Sequence, residues 1–169
     1  MQRRSFLKLG IGSAVVLGVV GGAVALIQPG LVDGGKLSTG ARNVFAGAAR
    51  ALLDGTLPTE AAAQQTAING LLDRINDLTM GLPPHVQSEL SQLLSLLDST
   101  AGRVELVGLG TDWASASVAQ ISTALQGLRE SRMALREQTY SALHDIIGGS
   151  YFAGPENWPF MGYPGPRKI

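Results

Sequence analysis

The chain has 169 residues, with 13 Lys and Arg against 13 Asp and Glu, so its formal charge is zero, and this balance is no electrostatic footprint of a nucleic-acid binder. It has no cysteine, which excludes disulfides, cysteine-held iron–sulfur clusters, c-type haem attachment and a lipidated N-terminal cysteine. The two histidines, His85 and His144, are far apart, and neither has metal-ligand spacing around it.

The chain opens with Arg3-Arg4-Ser5-Phe6-Leu7-Lys8, followed by an uncharged run from Leu9 to Val32. A positive segment before a moderately apolar one is the layout of an export signal. Adjacent Arg3 and Arg4, with Phe6 and Leu7 behind them, resemble a twin-arginine signal, the receptor-read address of proteins exported already folded. Paired guanidiniums suit such reading, because each can hold a carboxylate in a planar two-bond fork. The run is rich in glycine and alanine, so it is only mildly apolar, as befits the folded route. Ala23-Val24-Ala25 fits a small-x-small cleavage pattern, and cleavage is the favoured reading. If retained, the run is long enough to cross a bilayer, with Arg3, Arg4 and Lys8 on the cytoplasmic side. Residues 1–27 are therefore read as signal or anchor, and membrane contact is expected only through residues 1–32.

Removing residues 1–27 leaves 142 residues, enough for one domain with a real core, carrying 10 basic against 13 acidic groups. Residues 28–37, punctuated by Pro29, Gly30, Gly34 and Gly35, read as a linker. Ser38 or Thr39 offers the cap of a first helix, whose Val44, Phe45, Ala48, Ala51, Leu52 and Leu53 recur at helical spacing up to Gly55. Thr59 is the expected cap of a second helix, with Glu60 in its first turn. Its apolar stripe is Ile68, Leu71, Leu72, Ile75 and Leu78; Asp73, Arg74 and Asp77 are placed outward, and Gly81 ends it.

A third helix is expected from Pro84 to Asp98, because a proline suits a first helical turn. Its Leu90–Leu97 cluster reads as core in preference to a dimer seam. Val104, Leu106, Val107 and Leu109 suggest a short helix, since no strand-like segment exists to pair with them. Thr111 or Asp112 is the expected cap of a fourth helix through Trp113, Val118, Ile121, Leu125 and Leu128. The pattern continues, with a bend near Ser131, to Gly148-Gly149. The expected fold class is all-α: an antiparallel helical bundle of four to five helices over residues 38–149.

Residues 150–169 differ. Five of the nine aromatics fall there, Tyr151, Phe152, Trp158, Phe160 and Tyr163, with four of the eight prolines. Proline and glycine forbid a regular helix, and large aromatic surfaces are not left cheaply in water. Either the tail covers its own bundle or it lies along a partner with its aromatics as anchors. The expected contact residues are Tyr151, Phe152, Trp158, Phe160, Gly162, Tyr163 and Pro164 of an extended tail.

The twin-arginine segment, Leu52-Leu53-Asp54-Gly55-Thr56-Leu57-Pro58, Asp112-Trp113, Leu128-Arg129-Glu130-Ser131, Tyr140-Ser141-Ala142-Leu143, Tyr151-Phe152 and Trp158 ahead of Gly162-Tyr163-Pro164-Gly165 follow one another in order. This order resembles the small subunits of periplasmic flavin dehydrogenases, of the gluconate 2-dehydrogenase type. The resemblance spans most of the chain after residue 27, and its most specific piece is the terminal Gly-Tyr-Pro-Gly with the Trp before it. It implies a periplasmic, non-catalytic subunit that escorts a large FAD-containing subunit of the glucose–methanol–choline family through the twin-arginine translocase. Electrons would pass from that subunit to a cytochrome c or a quinone, with no cofactor on this chain. The absence of cysteine and of redox ligands agrees with an escort that carries no electrons.

Two further groups of side chains have a chemical and a bland reading. Tyr140 and His144, four apart, share a helix face; such a pair is more often a packing contact than an acid–base couple, so no catalytic residue is assigned. Arg129, Arg132 and Arg136 form a basic stripe, read as a solvated face beside Glu130 and Glu137 in preference to a contact with an acidic partner. The alternative function is a stand-alone, membrane-tethered periplasmic helical binding protein.

Overall fold

The computed structural model describes residues 28–166; Arg3, Arg4, Phe6 and Leu7, and the last three residues of the tail, lie outside the described residues. The fold is all-α but for one small hairpin, with helices α1 (Thr39–Leu52), α2 (Ala61–Met80), α3 (Pro84–Asp98), α4 (Val118–Arg129) and α5 (Ala134–Phe152). No helix of the described residues is long and apolar enough to cross a membrane.

The segment read as a linker is the hairpin. Strands β1 (Leu31–Val32) and β2 (Lys36–Leu37) pair antiparallel, with Leu31 opposite Leu37. Asp33, Gly34 and Gly35 all have positive φ, the left-handed backbone that two glycines supply without strain. Two side chains fasten the hairpin to the bundle: the Leu31 amide donates to Ser91 Oγ at 3.0 Å and the Leu37 amide to Asn76 Oδ1 at 2.8 Å. Leu31 and Leu37 are buried, so the hairpin closes an end of the core. A pair of two-residue strands is too short for period-two alternation to register in sequence.

Helix α1 starts on Ser38, whose hydroxyl accepts from the Ala41 amide, and it buries Val44, Phe45 and Ala48 as the spacing predicts. Its partner is Trp113, whose indole N–H donates to the Leu97 carbonyl at 2.8 Å. Arg50 bonds the Trp113 carbonyl at 2.7 Å, so the loop before α4 is pinned to α1. Gly47 makes this approach possible, since a Cβ there would lie 2.8 Å from the Trp113 oxygen.

Several expectations are corrected. The cap of α2 is Glu60, not Thr59: its two carboxylate oxygens accept from the Ala62 and Ala63 amides, satisfying two free donors where a hydroxyl satisfies one. Leu78 is exposed despite lying in the apolar stripe, and Arg74 turns toward α5. Asp112 caps only a turn, through the Ala114 and Ser115 amides. Helix α4 begins later, on a reciprocal cap between Ser117 and Gln120. The short helix expected around Val104, Leu106, Val107 and Leu109 is present, as a wide helical turn over Gly102–Val107 ended by Gly108 at φ 83°.

The bend near Ser131 is a full break between α4 and α5. A continuous helix over both would run about 50 Å, far past the core it has to cover. Finally, α5 does not stop at Gly148-Gly149. It runs on to Phe152 because Ser150 and Tyr151 are buried, and that packing outweighs about 1 kcal/mol of helix penalty per glycine.

Candidate functional site

The end of α5 and the tail form one unit. A helix leaves its last carbonyls without intrahelical donors. Here three successive ones each receive a side chain. Arg74 Nε donates to the Ser150 carbonyl at 2.7 Å, Asn157 Nδ2 to that of Tyr151 at 2.7 Å, and Trp158 Nε1 to that of Phe152 at 3.1 Å. A guanidinium at a helix C-terminus also answers the negative end of the helix dipole. Arg74 Nη1 reaches Glu156 at 3.1 Å as well, a partly exposed pair worth little by itself.

The tail is therefore not extended throughout. Pro155–Met161 winds into a tight 3-10 helix, which tolerates its two prolines better than an α-helix would. Gly162, at φ 68°, ends it and reverses the chain, and its amide returns to the Pro159 carbonyl. Tyr163 then donates its amide to the Trp158 carbonyl at 3.1 Å and sets its ring edge-on to the indole, centroids 5.1 Å apart.

The seven expected contact residues thus divide. Tyr151 is buried, with its hydroxyl on the Thr56 carbonyl at 3.1 Å; it belongs to the core and is unavailable to a partner. Phe152 is half-buried, edge-on to Tyr151, and packs on the core. Trp158 is half-buried and acts as the fastener. Phe160 and Tyr163 are 60% and 46% exposed, and Gly162 and Pro164 lie with them in solvent. The first half of the tail therefore covers the bundle, as one of the two alternatives expects, and the second half is exposed.

Three participants were missed by sequence reasoning. Met161, 50% exposed, completes the projecting tip, and its position between Phe160 and Gly162 was the available signal. Asn157 and Arg74 left no such signal, because their roles depend on where α5 ends in space. Beside the tail lies an open groove of about 360 Å³, floored by Ala63, Ala67 and Gly70 and bounded by Arg74, Tyr151 and Glu156.

Elsewhere, Tyr140 and His144 stack on the α5 surface with centroids 5.7 Å apart, and His144 Nδ1 lies 3.0 Å from Asp145. Both side chains of that His–Asp pair are largely exposed. Among the described residues, no group of three or more His, Asp or Glu is placed to hold a metal ion. The architecture is thus an all-α bundle that caps one of its own helices with an aromatic tail and leaves an apolar tip in water. No protein-family model matches the chain, and neither a curated protein nor a solved structure does so.

Proposed function

We propose that this chain is a non-catalytic small subunit that binds a large FAD-dependent dehydrogenase of the glucose–methanol–choline family and escorts it through the twin-arginine translocase to the periplasm. The observation that carries this reading is the tip: Phe160, Met161 and Tyr163 stand in water on a base fixed by Asn157 and Trp158. A prearranged apolar anchor loses little entropy on docking, which is what an interface residue needs. The Arg3-Arg4 segment supports the export route, and the ordered motifs ending in Gly162-Tyr163-Pro164-Gly165 support the class of partner. On this reading FAD sits on the partner, electrons leave through a cytochrome c or a quinone, and this chain supplies folding assistance, an address and a contact surface.

The test is affinity capture of the tagged full chain from its native host. The expected product is a stoichiometric yellow complex whose flavin absorbance follows a second, larger polypeptide. A colourless chain without a partner would contradict the proposal and leave the stand-alone tethered binding protein as the better reading.

A further inference from the structure

The turn between α4 and α5 departs from ordinary surface design in several ways at once. Met133 occupies the capping position of α5, and no side-chain cap bond is made there. Ser, Thr, Asp or Asn is the usual choice at that position, because its oxygen satisfies a free amide. Met133 is 61% exposed and Leu135, in the first helical turn, is exposed too. Arg129 and Arg132 are exposed and Arg136 half-buried, and among the described residues none of them forms an ion pair. Arg136 lies against Gly127, and its Nε has no hydrogen-bond partner.

The carboxylates nearby do not answer these cations. Glu130 accepts from the Gln126 amide group, and Glu137 lies in the first turn of α5, where the positive end of the helix favours it. The turn thus combines unanswered guanidiniums, the positive end of an uncapped helix, and two apolar side chains pointing at water.

We propose that this turn is a peripheral contact for an anionic lipid surface, with the arginines at the phosphates and Met133 and Leu135 at the acyl boundary. That division of cationic and apolar groups is what an interfacial element requires. A second observation selects a bilayer over an acidic protein. Helix α4 starts beside the C-terminal half of α1, where Arg50 holds the Trp113 and Ala114 carbonyls, and packs back along α1. The turn therefore lies toward the N-terminal end of α1, which the hairpin joins to the uncharged residues 9–30, a run long enough to enter a bilayer where it is retained. This contact is additional to any through residues 1–32, and it does not depend on the function proposed above.

The chain has no cysteine, so Met133→Cys can carry a single environment-sensitive fluorophore in the full-length protein. Gln65→Cys, on the exposed side of α2, serves as the control position. On vesicles of phosphatidylcholine with phosphatidylglycerol, the probe at 133 should shift to the blue and be quenched by lipid-borne quencher, while the probe at 65 should not. High salt should reverse the shift. Adding Arg129→Gln and Arg132→Gln should weaken docking of the turn about thirtyfold, at roughly fivefold per surface charge. An unchanged probe at 133, an equal shift on pure phosphatidylcholine, or an equal shift at 65 would each overturn the proposal. The first of those results, seen together with a shift on adding an acidic partner protein, would assign the turn to that protein instead.

Discussion

Trp158 decides how the tail behaves, because one side chain performs two tasks. Its indole N–H answers the Phe152 carbonyl, and its ring receives Tyr163. Trp158→Phe keeps an aromatic ring and removes the bond, so it should cost about 1 kcal/mol by thermal or urea unfolding. Trp158→Ala should also free the tip, read as faster proteolysis after Ala153 with the bundle intact. Phe160→Ala is the contrasting case. It should leave unfolding unchanged within about 0.5 kcal/mol and weaken partner capture about tenfold or more. If Phe160→Ala melts the isolated chain, the tip is core and the proposed contact surface is wrong. Gly47→Ala gives an opposite lesson. Helix propensity alone promises a gain of about 1 kcal/mol, whereas the 2.8 Å approach of the Trp113 oxygen makes a loss of about 1–3 kcal/mol the expected result.

At the scale of elements, α2 depends on a carboxylate cap. Two amide donors, Ala62 first and then Ala63, hold the Glu60 carboxyl below its ordinary value of 4.5. A lowered folded value means that the cap contributes fully above the unfolded value and is lost as the pH falls through the folded one. Glu60→Gln should therefore lower the melting temperature near neutral pH, and the gap should close in acid. A gap independent of pH would contradict the assignment.

The same element shows what was legible. The stripe Ile68, Leu71, Leu72 and Ile75 is buried as its spacing predicts, and α3 spans Pro84–Asp98 as read. Periodicity finds helices because burial of one face is what makes them. It does not find their ends. Thr59 against Glu60 and Asp112 against Ser117 turn on which local side chain reaches the free amides, whereas the run past Gly148-Gly149 to Phe152 is settled by contacts with distant residues. The exposed half of the candidate site was visible as an aromatic cluster. Its foundation was not, because Arg74 meets Ser150 only after two helices have packed.

For the whole molecule, the core of the described residues is closed against solvent within the chain. Phe45, Leu71, Trp113, Ile121, Leu143 and Ile147 are closed to solvent within the chain itself. Among the described residues, two surface features carry the proposals: an apolar tip on the tail, and a cationic, apolar turn between α4 and α5. Those two surfaces and the Arg3-Arg4 segment supply the account of a subunit that docks, travels and delivers. The most direct measurement is the fractionation of the proposed flavoprotein partner in cells carrying Arg3→Lys with Arg4→Lys in this chain. The account predicts that flavin-loaded partner and variant both stay in the cytoplasm. Partner recovered from the periplasm at the wild-type level would contradict it.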